Sequence, residues 1–200
     1  MRKLAAHGLS KTRSVKDGEP IRVLELGWGQ GISGRTLLAH ENVDYTVMEL
    51  HPAMAANARS VFKELGKGKD EARVLLGPWE KVLPTLADRS FDVIFSDAWP
   101  TQKSGDKQKW TYAEKWEVTE SNLALPRVLK PGGAHVWYTA KRPSSKAKKP
   151  WHGLANYNTW WHANMFTEFS VKKLGGLKPY DSTIYFRKGE DVVILPCGIK

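Results

Sequence analysis

The stretch IRVLELGWGQGISG at residues 21–34 limits the possible folds of this chain more than any other feature. A short apolar run that contains Val and Ile is typical of a buried parallel strand, and the glycines after it predict a tight loop that opens a helix. In an open α/β sheet, a ligand binds beyond the carboxyl end of the first strand. The stretch therefore predicts a parallel sheet with a ligand site at residues 27–34.

The rest of the chain continues to alternate strands with helices. Further strands are predicted at 45–50, 72–77, 91–99 and 134–139, with helices at 1–10, 33–41, 51–65, 79–87, 113–129 and 155–174, and a terminal hairpin of residues 182–187 and 192–196. Such alternation gives a parallel sheet covered on both faces. We predict one α/β domain, residues 1–200, in which residues 1–19 are an N-terminal extension. Its sheet should be Rossmann-like, doubly wound and mostly parallel, and should close with an antiparallel hairpin.

Two proline positions bear on the helix predicted at 113–129. Pro126 lies inside it, so this helix should be kinked or should restart at that residue. Pro131-Gly132-Gly133 should end the helix before the strand at 134–139.

Composition narrows the class of protein. No apolar run reaches the length of a membrane span, and the one cysteine, Cys197, cannot form an internal disulfide. We therefore expect a cytoplasmic protein that does not cross a membrane. The net charge of +10 suits an acidic partner, and KRPSSKAKK at 141–149 concentrates part of it, although such a block is usually a solvated loop.

The glycine stretch can be read in two ways, and each predicts a different cofactor. Residues 29–34 satisfy G-x-G-x-x-G, and Glu49 follows at the distance of a ribose-binding acid, as in nicotinamide dinucleotide sites. In the other reading, Glu25 comes two residues before a run of alternating glycines, Gly27, Gly29 and Gly31. A carboxylate at that position would repel a pyrophosphate but would attract an ammonium group.

S-adenosylmethionine fits the second reading, because it carries a cationic amino-acid group at one end and a ribose diol at the other. We expect Glu25, at the rim of the first strand, to attract the ammonium directly or through water, while the bare glycines let the backbone approach the ligand. Glu49, at the end of the second strand, should accept hydrogen bonds from both ribose hydroxyls. Leu50, the next residue, is predicted to contact the cofactor as well.

The segment after the third strand is predicted to contact the adenine. Gly77 and Pro78 could supply backbone contacts to the edge of the base, and Trp79 could lie against its ring.

Several segments together resemble class I S-adenosylmethionine-dependent methyltransferases, and within that class guanidinoacetate N-methyltransferase. They are VLELGWGQG, YTVMEL, GPWEKVLPTLADRSFDVIFSDAWP, PRVLKPGG and YFRKGEDVVILP, in that order. The resemblance covers residues 20–200 and implies a Rossmann-like sheet of seven strands, the last antiparallel. It also implies that Glu25 and Glu49 bind the cofactor and that Asp97, after the fourth strand, is a catalytic residue that contacts a guanidino group.

The chemistry of methyl transfer supports a role for Asp97. The reaction is an in-line displacement at a sulfonium carbon, so the enzyme mainly aligns the acceptor with the cofactor. A carboxylate facing the methyl group can orient an N–H, offset developing positive charge and take the proton. Without that context, Asp97 would be read as a turn cap. Trp99 is predicted to bind the substrate, because an indole face can hold a cationic or planar group.

Two departures from guanidinoacetate N-methyltransferase bear on the substrate. Only residues 1–20 precede the first strand, so we expect the acidic N-terminal segment that closes over the substrate in that family to be missing. After the fifth strand, TAKRPSSKAKKP stands where the family receives the substrate carboxylate, and it could bind a carboxylate or a phosphate. We predict an N-methyltransferase acting on a small amine or guanidine rather than on guanidinoacetate itself.

Three other functions stay open at this point. A nucleic-acid (RNA) N-methyltransferase is the main alternative, since SDAWP is similar to a D-P-P-Y type motif and the charge is suitable, but only Trp151 adjoins the basic block. A nicotinamide dehydrogenase and a non-catalytic relative that binds the cofactor or a protein are the others. The six histidines show no metal-ligand spacing, so we expect no metal.

Overall fold

The computed structural model describes residues 2–13, 15, 18–68, 71–96, 120–137, 166–174 and 193–200. Within these residues, the helices are α1 (Arg2–Lys11), α2 (Ile32–Leu38), α3 (Pro52–Glu64), α4 (Trp79–Val82) and α5 (Glu120–Val128), and a 3-10 turn, Leu83–Thr85, follows α4. The strands are β1 (Ile21–Leu26), β2 (Val43–Glu49), β3 (Ala72–Leu76), β4 (Phe91–Ser96), β5 (Leu129–Trp137), β6 (Glu168–Leu174) and β7 (Val193–Ile199).

The described strands form one sheet in the order β3-β2-β1-β4-β5-β7-β6. The first five strands pair in parallel, and β7 pairs antiparallel with both β5 and β6. The strand order changes direction between β1 and β4, which makes that point the expected ligand site. The predicted fold class, a mostly parallel Rossmann-like sheet with an antiparallel C-terminal pair, is confirmed.

Strand β1 is buried on both faces from Val23 to Leu26, as its short apolar run predicts. Val23 belongs to a core cluster that includes residues of α2 and α3 and contacts α1, whereas Leu24 and Leu26 belong to a second cluster with α4 and α5. Because side chains alternate along a strand, Glu25 lies on the same face as Val23. The sequence thus places a carboxylate inside the layer between the sheet and helices α1–α3.

Helix α1 confirms the short helix predicted over residues 1–10 and packs against β4 and β5. A Cβ at Gly8 would lie 2.9 Å from Cγ2 of Val136, so the helix lies very close to the sheet at this residue. Thr12 donates its hydroxyl to the backbone oxygen of Asp92 at 3.0 Å, and the Arg13 N–H donates to Gly132 O at 2.9 Å. Helix α1 and the two residues after it are therefore part of the domain's packing.

A buried carboxylate, Asp92, joins three strands at the end of the sheet opposite the glycines. Its side chain accepts a hydrogen bond from the Arg22 N–H at 2.9 Å and contacts the Lys130 ammonium at 2.9 Å. Asp92 is fully buried. These contacts supply the charge partner and donors that a buried carboxylate needs.

The predicted helix over residues 155–174 is wrong in the part that the structure describes. Glu168–Leu174 is strand β6, paired with β7 from Glu168 opposite Ile199 to Leu174 opposite Val193. Apolar residues at every second position in EFSV fit a strand, and pairing with a distant strand outweighs the local pattern that predicted a helix. Residues 155–165 lie outside the described residues.

The C-terminal strand has a different antiparallel partner from the predicted one, which was the segment 182–187. Strand β7 pairs with β6 along its length and with β5 at Cys197–Ile199. The strand predicted at 182–187 lies outside the described residues, so its position stays a prediction.

The Pro131-Gly132-Gly133 segment lies inside β5 and not before it. The pairing of β5 with β4 shifts register there, since Phe91 is opposite Leu129 and Val93 is opposite Ala134. The extra residues form an irregularity that a proline and a glycine with a φ of 78° accommodate. Helix α5 ends at Val128 and includes Pro126 within its last turn.

Candidate cofactor site

The glycine loop, residues 27–31, lies between β1 and α2 at the point where the strand order changes direction. Gly27 donates its N–H to Met48 O at 2.8 Å, which joins the loop to β2. Gly29 has a φ of 52°, in the left-handed region that favours glycine, and a Cβ there would meet no described atom within 4 Å beyond its chain neighbours. A ligand can therefore approach the backbone closely at Gly29.

Residues 31 and 34 are glycines for a different reason, which is the space that the Trp28 ring needs. A Cβ at Gly31 would lie 2.4 Å from Cζ2 of Trp28, and one at Gly34 would lie 2.2 Å from Cζ3 of the same ring. In a dinucleotide site, these glycines would serve the pyrophosphate and the packing of the helix. Here they make room for an indole, which favours the reading that begins at Glu25 over G-x-G-x-x-G.

Trp28 is a site residue that the sequence analysis did not single out. Its side chain is 2% exposed, and its ring meets those of Tyr45 and Phe62 edge-on, with centroids 6.5 Å and 5.5 Å away. The indole Nε1 donates to Asn57 Oδ1 at 2.9 Å. A tryptophan between two loop glycines is the signal that could have identified it, because so large an apolar side chain has to be buried.

The Glu25 carboxylate is fully buried on the face of the sheet that α2 and α3 cover. It accepts hydrogen bonds from the hydroxyls of Ser33, in α2, and Tyr45, in β2. Such donors offset part of the cost of removing a carboxylate from water. Glu25 therefore lies inside the domain and not at an open rim, and its attraction for a cofactor ammonium stays a prediction.

Glu49 lies at the end of β2, and its carboxylate contacts backbone N–H groups of the glycine loop and of the residue that precedes α3. Oε2 accepts from the Trp28 N–H at 2.9 Å and the Gly29 N–H at 3.4 Å, while Oε1 accepts from the His51 N–H at 2.8 Å. These backbone donors fix the orientation of a side chain that is 8% exposed. A carboxylate offers about four acceptor directions, so it can accept a further O–H. The predicted contact with a ribose diol fits this geometry.

The residues predicted to surround the adenine follow β2 and β3, which are neighbours in the sheet. Leu50 is 45% exposed, and the Gly77 N–H donates to Glu49 O at 2.9 Å, which joins the two strand ends. Pro78 is the N-cap of α4, and Trp79, its first residue, packs in part against the core cluster of α4 and α5. The structure brings these residues to one edge of the sheet, and their contact with adenine stays a prediction.

Asp97 and Trp99 lie outside the described residues, which reach Ser96 at the end of β4. The Ser96 hydroxyl is 2.8 Å from Nε2 of His135, a fully buried residue of β5. Burial lowers the pKa of His135 from 6.5 to about 3, so its imidazole is neutral at physiological pH. His135 stacks on Trp137 with ring centroids 5.0 Å apart.

In the part of the chain that the structure describes, no group of three or more His, Cys, Asp or Glu side chains is arranged to hold a metal ion. Among the helices of that same part, none has the length and apolar character needed to cross a bilayer.

The loop, the two carboxylates and the strand order agree with the result of a comparison with protein families. Residues 23–133, more than half of the chain, match the family model described as "Methyltransferase domain". The chain belongs to this family. Membership implies S-adenosylmethionine as the cofactor, and residues 23–133 of this methyltransferase domain include the glycine loop, Glu25 and Glu49.

Curated relatives match part of the methyltransferase domain. A protein named "Putative O-methyltransferase" from Mycolicibacterium vanbaalenii is 34% identical over 120 residues, which are 59% of this chain and 46% of that protein. A Mycobacterium leprae protein with the same kind of name is 38% identical over 80 residues, 39% of this chain and 36% of the relative. The matched segment thus spans less than half the length of each of these relatives.

Solved structures share the fold. Spermidine synthase from Thermotoga maritima superposes with a TM-score of 0.63 at 19% identity, covering 100% of this chain and 57% of that one. The cofactor-bound structure of Rv0187 from MTB has a TM-score of 0.59 at 21% identity and covers 98% and 77%. At these identities, the similarity establishes the fold alone.

Proposed function

We propose that this domain transfers the methyl group of S-adenosylmethionine to a nitrogen of a small amine- or guanidine-containing molecule. One observation carries the cofactor part of the proposal. The Glu49 carboxylate is held by the N–H groups of Trp28 and Gly29 at the switch point of the sheet, beside an open glycine face. That arrangement offers an oriented acceptor for a ribose and close backbone approach for the rest of the ligand.

The negative charge near the loop supports a cationic donor over a dinucleotide. Glu25 and Glu49 are both buried carboxylates close to the loop, and a pyrophosphate placed there would be repelled by them. A sulfonium cofactor with an ammonium group has the opposite charge. Glu25 would act through the field of its buried carboxylate, while Glu49 would contact the ribose directly.

The proposed chemistry places Asp97 at the acceptor. When bound, S-adenosylmethionine would supply an activated methyl group for transfer to the lone pair of the acceptor. The Asp97 carboxylate, which follows β4 in the sequence, would orient the acceptor N–H and receive its proton. Trp99 would lie against a cationic or planar part of the substrate.

A hydroxyl acceptor is the second candidate, since the curated relatives carry O-methyltransferase names. A carboxylate base can accept the proton of an O–H as well as that of an N–H. A screen with labelled cofactor against guanidines, amino acids, indoles, phenols and RNA would identify the acceptor. Mass spectrometry of the product then assigns the methyl group to nitrogen or oxygen. An RNA product whose formation falls steeply with salt would replace both candidates with the nucleic-acid function.

Cofactor binding is tested by thermal denaturation with ligands. A ligand that binds only the folded state raises Tm by mass action, and at 100 times its Kd it adds about 2.7 kcal/mol of stability. S-adenosylhomocysteine should therefore raise Tm by roughly 5–10 °C for a domain of this size, and NAD should leave it unchanged. A shift with NAD and none with S-adenosylhomocysteine would refute the proposal.

The role of Asp97 is tested by Asp97→Asn, which keeps the shape of the side chain and removes the base. Turnover should fall by about a hundredfold or more, the usual contribution of a positioned acid or base. Binding of S-adenosylhomocysteine, measured by calorimetry, is the control and should stay near that of the wild type. If turnover were unchanged, Asp97 would be a turn cap.

A further inference from the structure

We propose that Trp28 is a positioning residue for the cofactor: its indole is an internal anchor that holds the glycine loop in the conformation in which the loop binds Glu49. The inference rests on the proposed function for its effect on cofactor affinity. Its effect on the packing of the loop stands on the geometry alone.

The anchor is built from contacts of the indole with β2, α2, α3 and the loop itself. The ring lies among Tyr45 of β2, Phe62 of α3 and the bare faces of the glycines at 31 and 34, and it is 2% exposed although its backbone is part of a loop. Its Nε1 is bonded to Asn57 of α3 at 2.9 Å. Loops are usually exposed and mobile, so a loop residue buried to this degree fixes the backbone on both sides of it.

Trp28 acts on the cofactor site through its own peptide. Its backbone N–H donates to Oε2 of Glu49 at 2.9 Å, and the next N–H, that of Gly29, reaches the same oxygen at 3.4 Å. The direction of these N–H groups depends on where the indole is held. The anchor therefore sets the orientation of the carboxylate that we propose as the ribose ligand, without contact between the indole and the ligand.

Gly34 provides independent evidence, because it belongs to α2 and lies beyond the loop. A Cβ there would lie 2.2 Å from Trp28 Cζ3 and 2.7 Å from the Tyr45 hydroxyl oxygen, so the site accepts only glycine while the indole is in place. Within a helix, alanine is intrinsically more stable than glycine. The clash with the anchor, and not the helix itself, explains why a glycine stands at this position.

The experiment combines substitutions at Trp28 with one at Gly34. Trp28→Leu removes the indole, and Trp28→Phe keeps a ring but loses the bond to Asn57. Leu125→Ala is the matched control, since Leu125 is equally buried on the opposite face of the sheet. Each variant is measured for Tm and, at a temperature where it is folded, for its Kd for S-adenosylhomocysteine.

We expect Trp28→Leu to raise Kd by about tenfold or more, with Trp28→Phe intermediate, because small displacements of a site's supporting residues are costly. Leu125→Ala should lower Tm comparably and change Kd by less than about twofold. Gly34→Ala should lower Tm in the wild-type background and lower it less, or raise it, in the Trp28→Leu background.

The outcomes separate the anchor from the proposed function. If Trp28→Leu and Trp28→Phe both bind S-adenosylhomocysteine as the wild type does, the positioning role is refuted. If Gly34→Ala lowers Tm equally in both backgrounds, the anchor itself is refuted. If the wild type does not bind S-adenosylhomocysteine at all, the proposed function fails, and with it the positioning role. The Gly34 comparison then still decides whether the indole holds the loop.

Discussion

Lowering the pH should destabilise the fold through His135. This residue is buried in β5, and its burial lowers its pKa from 6.5 to about 3. Between those two values, the unfolded chain binds a proton at His135 that the folded chain does not bind. The free energy of unfolding therefore falls as the pH falls below 6.5, and the loss is complete only near pH 3.

The size of this effect follows from proton linkage. Between pH 7.5 and pH 5.0, protonation of this histidine in the unfolded chain lowers the free energy of unfolding by about 2 kcal/mol. With a urea m-value of about 2 kcal/mol/M, the midpoint of denaturation should move down by roughly 1 M.

The assay compares the wild type with His135→Gln at the two pH values. Glutamine does not titrate, and its amide can replace the bond to the Ser96 hydroxyl. All other groups titrate in both proteins, so the difference between their pH-dependent losses isolates His135. We expect the wild type to lose about 2 kcal/mol more than the variant on going to pH 5.0. Equal losses in the two proteins would show that His135 is not held neutral by burial.

Three further predictions concern buried polar groups. Lys130→Met removes the Lys130 ammonium, 2.9 Å from the carboxylate of buried Asp92, and should cost about 3 kcal/mol, or roughly 6–12 °C in Tm; a wild-type melting curve would contradict this. Tyr45→Phe removes a hydroxyl donor from the Glu25 carboxylate and should lower the free energy of unfolding, measured in urea, by about 2 kcal/mol. An unchanged free energy of unfolding would show that the Tyr45 hydroxyl does not stabilise this carboxylate. Burial raises the pKa of the Cys197 thiol from 9.0 to about 11. A thiol reagent at pH 8 should therefore react with Cys197 far more slowly in the native protein than in denaturant, and equal rates would contradict its burial.

Local pattern was enough to predict the part of the fold that positions the site. The run IRVLEL gave β1 with the observed bounds, Ile21–Leu26, and the alternation that follows gave the parallel sheet. The strand predicted at 45–50 corresponds to β2, Val43–Glu49, so Glu49 lies at the carboxyl end of the strand as expected. In these cases the signal lies within a few residues of the feature, so neighbours in the sequence determine the structure.

Features that depend on distant residues could not be read from the sequence in this way. Strand β6 exists because it pairs with β7, whose partner residues lie 19 to 31 positions later in the sequence, and the local pattern at 155–174 predicted a helix instead. The burial of Glu25 depends on a hydroxyl from the neighbouring strand, on Tyr45. The role of Gly34 depends on the position of the Trp28 ring. In each case a tertiary contact overrides or adds to the local preference.

The insertion of β7 between β5 and β6 has a consequence for synthesis of the chain. Val193–Ile199 is translated after both of the strands that flank it, so β5 has no partner on that side while the ribosome is still elongating. The unpaired edge includes Ala134 and Val136, which are fully buried in the finished sheet. An unpaired apolar edge is prone to aggregate. A chain released before residue 193 is translated would therefore have an incomplete, aggregation-prone sheet, and we expect such a chain to bind chaperones.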